Sequence, residues 1–146
     1  MEQSGQLILN GAVFALESSS DTKCYLFDSD EDEGTLTIGF DACFRKALYQ
    51  GEWVSPSICI NAHETGKTSV QALIGCTYRA DSLEETTARE DTFYLYEHEP
   101  LVNYQFTIAG LSEGRVHVLL EGIAITDGYS SPRKSSPFSG DFWLPL

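Results

Sequence analysis

Apolar and polar residues alternate with a period of two along most of the chain. Over Leu101–Leu111, Val102, Tyr104, Phe106 and Ile108 face one way while Asn103, Gln105 and Thr107 face the other. That is the pattern of a strand with one buried face. Ser112-Glu113-Gly114-Arg115 reads as a turn and Val116–Thr126 as the returning strand, the clearest hairpin in the sequence. Val70, Ala72, Ile74, Cys76 and Tyr78 alternate in the same way, so Ser69–Ala80 is read as a strand; Leu36, Ile38 and Phe40 form a shorter set. Further strands are predicted over Gln6–Leu16, Lys23–Asp28, Ser57–Asn61, Thr92–Glu97 and Gly140–Leu144. Strands that recur along the whole chain, separated by Gly, Asp or Ser, predict a mostly β, antiparallel sandwich or barrel with at most one or two short helices.

Two segments compete as helices. Ala42–Tyr49 places Phe44, Ala47 and Leu48 at i, i+3 and i+4, with Asp41 as N-cap and Gly51 beyond the end. Residues 82–90 offer Ser82 followed three positions later by Glu85, the spacing of a capping box, with a solvated loop as the alternative. Tyr129–Pro137 is Ser/Pro-rich and reads as an exposed loop, whereas the apolar Phe142-Trp143-Leu144-Pro145-Leu146 is expected to dock as an edge strand, where proline is tolerated. No repeat or linker divides residues 1–146, which are read as a single domain large enough to fold without a disulfide or metal.

Charge changes the picture more than composition does. The formal net charge is −13, from 22 acids and 9 bases. Such a charge repels nucleic acid, and seventeen aromatic residues argue against disorder. Five acids lie in Asp28-Ser29-Asp30-Glu31-Asp32-Glu33, and seven between Asp81 and Glu99 against Arg89, so two runs supply −11 of the −13. They read either as solvated loops or as a docking face that steers a basic partner. No basic n-region opens the chain and no apolar stretch is long enough for a membrane helix, so a cytoplasmic, non-membrane protein is expected.

Local motifs for catalysis or metal binding are weak. Asp28-x-Asp30-x-Asp32 opens like an EF-hand, but Gly34 comes one position late and Gly39 stands where the bidentate Glu belongs. Thr65-Gly66-Lys67-Thr68 lacks the first glycine and the helix of a phosphate loop, so a hairpin turn is read there. His63, His98 and His117 show no ligand spacing, and there is no G-x-S-x-G elbow. Cys24, Cys43, Cys59 and Cys76 contain no C-x-x-C and are read as buried free thiols. In Phe93-Tyr94-Leu95-Tyr96 the alternation puts Phe93 and Leu95 inward and leaves Tyr94 and Tyr96 as a stripe suited to an interface.

The expectation is therefore a non-enzymatic, cofactor-free binding protein that neutralises or inhibits a basic partner protein by occlusion, in the manner of an immunity protein. Asp28, Asp30, Glu31, Asp32, Glu33, Glu84 and Glu85 would steer the encounter, and Trp53, Tyr94 and Tyr96 would supply contact energy. The alternatives are a small-ligand-binding β-barrel or sandwich and a calcium-dependent β-module. Exposed edge strands also permit a homodimer.

Overall fold

A computed structural model describes residues 5–19, 21–129 and 131–146. Its strands are β1 (Gly5–Leu9), β2 (Ala12–Ala15), β3 (Lys23–Asp28), β4 (Leu36–Cys43), β5 (Ala47–Tyr49), β6 (Glu52–Val54), β7 (Ser57–Glu64), β8 (Thr77–Ala80), β9 (Thr92–Tyr94), β10 (His98–Ser112), β11 (Arg115–Asp127) and β12 (Lys134–Pro145). The helix α1 covers Leu83–Arg89, and a 3-10 turn covers Gln71–Leu73. At 61% strand and 7% helix, the chain is a single mostly β domain, a large antiparallel sheet curled into a half-barrel. The expected fold class is therefore the observed one.

The strand order is β2-β1-β12-β11-β10-β9-β7-β4-β3, with β8 on β10 and the β5–β6 ribbon apart. β10 is the fork of this sheet. Its first residues, His98–Pro100, pair with β9, and Tyr104–Thr107 pair with β8. Between them the ladder to β11 carries a bulge at Leu101/Asn103, which bends the strand. The helix α1 covers this gap, with the Thr86 hydroxyl donating to the Leu101 carbonyl. Curling brings the far edges together: Leu16 bridges Phe44, and Arg45 N donates to Ala15 O at 2.8 Å. Phe40 meets Phe106 and Phe142 edge-on at 5.2 and 6.0 Å inside the curl, and Phe44 meets Phe142 at 5.7 Å. Each such ring, fully buried, contributes about 1.5–3 kcal/mol.

Several local expectations are corrected. The proposed helix over Ala42–Tyr49 is instead the end of β4, the Phe44 bridge and β5, because Phe44 is claimed by the core and Leu48 pairs across to Trp53. Gln6–Leu16 is a hairpin, since Asn10 and Gly11 both take positive φ (51° and 85°) and fold β2 back on β1. Ser69–Ala80 is a strand only from Thr77; the 3-10 turn and Gly75 at φ 89° precede it, burying Leu73 and leaving Ile74 exposed. The C-terminal segment is not an edge. Strand β12 starts at Lys134, inside the expected loop, and lies between β1 and β11, with Pro145 opposite Arg115 at its very end. Residues 82–90 do form the helix, with Glu85 N donating to Ser82 Oγ at 3.1 Å. All four cysteines are free; Cys24 is buried and the other three are half-buried.

Candidate functional site

The β5–β6 ribbon exists because Gln50 and Gly51, at φ 50° and 85°, form a tight two-residue turn. Its pairs are Ala47 with Val54, Leu48 with Trp53 and Tyr49 with Glu52. Tyr49 and Val54 pack inward, Tyr49 against Phe14 at 6.5 Å. Leu48 and Trp53 therefore face outward, 53% and 67% exposed, as an adjacent apolar pair. The turn between β9 and β10 lies alongside. Phe93 and Leu95 are buried as the alternation predicts, Tyr94 is half-buried against His98, and Tyr96 is exposed.

Together with the β11–β12 connection these two turns enclose a cavity of about 600 Å³, lined by Tyr49, Glu52, Tyr96, Glu97, Asp127 and Tyr129 among others. Partial burial, the negative charge of Glu52 and a hydrogen bond to it raise the Tyr96 hydroxyl above its usual pKa. Glu99, nearly buried beside the cavity, is raised by desolvation and by its neighbour Glu97, with Arg133 acting in the opposite direction. Its carboxyl occupies the space over Gly128, where an added Cβ would fall 1.8 Å from Glu99 Oε2. A cavity of similar size, about 590 Å³, is lined by Thr22, Arg115 and Trp143 and has no carboxylate in its lining.

A second constellation is a buried polar plug that sequence reading missed. Opposite Gly39, β7 bulges at Asn61–Ala62; a Cβ on Gly39 would lie 2.7 Å from Ile60 O. Arg89 reaches both carbonyls of the bulge, with Nη2 2.5 Å from Asn61 O and 3.2 Å from Ala62 O. Asp91, fully buried, accepts from Asn61 N at 2.7 Å, Arg89 Nε at 2.8 Å and the Tyr104 hydroxyl at 2.6 Å. His63 Nε2 lies 2.7 Å from the same hydroxyl. Since Tyr104 spends its proton on Asp91, the network assigns His63 the neutral tautomer with hydrogen on Nε2. Burial, then the Arg89 charge, lowers its pKa to about 4. Burial opposes the charge of Arg89, but its contacts with Asp91 prevail and keep the guanidinium protonated. Side chains thus replace the missing ladder between β7 and β10. Apart from Arg89 and Asp91, which are two residues apart, the partners come from distant parts of the chain, and no described cavity has His63 in its lining.

The ten residues expected to bind a partner divide between two ends of the molecule. Asp28, Asp30, Glu31, Asp32 and Glu33 lie on or next to the β3–β4 turn, which is tied to β7 where Ser29 Oγ donates to Glu64 Oε1 at 2.5 Å. Glu84 and Glu85 lie on α1, which the plug fastens to Asn61, three residues earlier on β7. The anchors of those two acidic segments, Glu64 and Asn61, are three residues apart on one strand, roughly 10 Å. Glu85 is not purely a surface charge, since it accepts from Asp81 N at 2.8 Å. Trp53, Tyr94 and Tyr96 lie toward the other end of β7, where Tyr94 pairs with Ser57, roughly 23 Å along the strand from Glu64 and roughly 13 Å from Asn61. The acidic run 81–99 is thereby cut in two: Glu97 and Glu99 go with the aromatic end. Among the described residues, no cluster of His, Cys, Asp and Glu has the arrangement to hold a metal ion, and no helix is long and apolar enough to cross a membrane. Comparison with protein-family models, curated proteins and solved structures finds no match.

Proposed function

We propose that the chain is a cytosolic, acidic protein-binding module that neutralises a basic partner protein by covering its working surface, as an inhibitor or immunity protein does. One observation carries this reading. At a single end of the half-barrel, exposed Leu48 and Trp53 form the outer face of the β5–β6 ribbon, and exposed Tyr96 and Tyr129 line the cavity beside it with the carboxylates of Glu52, Glu97 and Asp127. Large exposed apolar side chains within an acidic surround supply both halves of an interface, contact energy at short range and selection for positive charge at long range. The acidic pole formed by the β3–β4 turn and α1 adds to the field that draws a basic protein in.

The reading is tested by capture from the source organism's lysate on the tagged protein, at low and then high salt, followed by affinity measurement with the captured protein. The expected result is a stoichiometric basic protein whose binding weakens at least roughly thirtyfold with Trp53→Ala, the loss of one interface hot spot. Absence of any such protein, or binding indifferent to both salt and Trp53→Ala, overturns the proposal.

A further inference from the structure

Resting on the binding reading above, we infer that the cavity between the β5–β6, β9–β10 and β11–β12 connections receives an arginine side chain of the partner. Three separate connections bring Glu52, Glu97 and Asp127 to its wall, so the negative charge converges from independent parts of the fold. Glu99 lies beside Glu97, which makes four acids there against Lys134 in the lining and Arg133 nearby. Three tyrosines share the rest of the wall with Gln50, Thr126, Ser135 and Ser136. Tyr96 and Tyr129 are 44% and 86% exposed, while Tyr49 is buried and forms part of the lining. Carboxylates and tyrosines in one lining suit a guanidinium group, which donates two parallel hydrogen bonds to a carboxylate and is drawn to an aromatic face. An ammonium group is also attracted to an aromatic face but lacks the planar fork that pairs with a carboxylate through two hydrogen bonds. Repulsion between Glu97 and Glu99 is relieved by an incoming cation, which gives the site a reason to prefer the occupied state.

The test is a titration of the full chain with N-acetyl-arginine amide, reading the ring resonances of Tyr96 and Tyr129 by NMR. N-acetyl-citrulline amide serves as the uncharged isostere. Saturable shifts confined to the cavity are expected with the arginine compound and none with citrulline. Glu97→Gln is expected to weaken binding about fivefold, the upper range for one exposed charge pair. No saturation, equal response to citrulline, or indifference to Glu97→Gln overturns the inference. The same Glu97→Gln and Tyr96→Leu variants are then offered to the captured partner. Unchanged partner affinity in both variants leaves the binding function standing and removes the arginine contact. Saturable arginine binding without any partner assigns the cavity to a free guanidinium compound, and overturns the protein source proposed here.

Discussion

Lowering the pH isolates the cost of burying His63 uncharged. In the folded chain its imidazole donates to Tyr104, and its ring is packed among Tyr78, Tyr104 and Phe106 at centroid distances of 5.5–6.0 Å. Burial and the Arg89 guanidinium oppose a second proton, while Asp91 favours it more weakly, and the folded pKa falls from the ordinary 6.5 to about 4. The unfolded chain takes up that proton as the pH drops through 6.5, and the folded chain does not until about 4. Stability from this group is therefore complete above 6.5, declines between 6.5 and about 4, and is level below. The gap is worth about 3 kcal/mol at about 1.4 kcal/mol per pH unit.

Urea unfolding followed by tryptophan fluorescence, on wild type and His63→Phe, measures the effect. The many surface carboxylates titrate in both proteins and cancel in the difference. The variant keeps a neutral ring in place and has no proton to gain. Relative to wild type it should gain stability steadily between pH about 6.5 and about 4, approaching 3 kcal/mol over the full interval. A constant offset throughout refutes the reasoning, because His63 would then titrate alike in both states.

Three further outcomes follow from the same geometry. Asp91→Ala leaves Arg89 and Asn61 N without their shared acceptor, and should cost about 3–5 kcal/mol in thermal or urea unfolding, since removing one partner strands a buried charge. Gly39→Ala forces a methyl group toward Ile60 O, 2.7 Å away, and should cost about 1–3 kcal/mol in the same assay, with Gly11→Ala as the contrast for a glycine that meets no neighbour but needs positive φ. Trp53→Ala removes an exposed side chain from the outer face of the ribbon, so unfolding should shift by no more than about 0.5 kcal/mol while partner affinity falls.

Where alternation was long, the sequence was enough for most of a strand: Tyr104, Phe106 and Ile108 are buried as read, while the bulge at Leu101/Asn103 buries Leu101 and leaves Val102 half-buried. Where segments were short, the same residues fitted two periods. Phe44, Ala47 and Leu48 have helical spacing, but the spacing carries no information about Leu16 or Trp53, the partners that hold them extended. Ser135, Ser136 and Pro137 look like loop because their side chains are polar or rigid. They sit in β12 through backbone pairing with Ile125, Ala124 and Ile123, a contribution that composition does not register. Tyr96 was legible as an exposed aromatic, since alternation assigns faces, whereas Trp53 read equally as a core-edge or a partner anchor. Asp127 and Tyr129, which line the cavity with Tyr96, were not legible, because they arrive from a connection some thirty residues further along the chain. The plug was invisible for the same reason: Asp91 reads as one more acid in an acidic run until the fold brings Asn61, Arg89 and Tyr104 to it.

That acidic run therefore contains charges with different physical duties. Asp91 replaces strand hydrogen bonds at the fork of the sheet, and Glu85 holds the entry to α1. Glu99 is packed over Gly128, while Glu84 is exposed and contributes only to the field around the molecule. Arg89, the one base in the run, turns inward to Asp91 and to the bulged carbonyls of β7, so its positive charge is neutralised where it is buried instead of offsetting the surface acids. The plug thus links stability to electrostatics: the contacts that close the gap between β7 and β10 also turn the one cation of this run inward. In the binding reading proposed above, a partner drawn by that field meets its aromatic contacts toward the Ser57 end of β7, so long-range attraction and short-range adhesion act on separate parts of its surface.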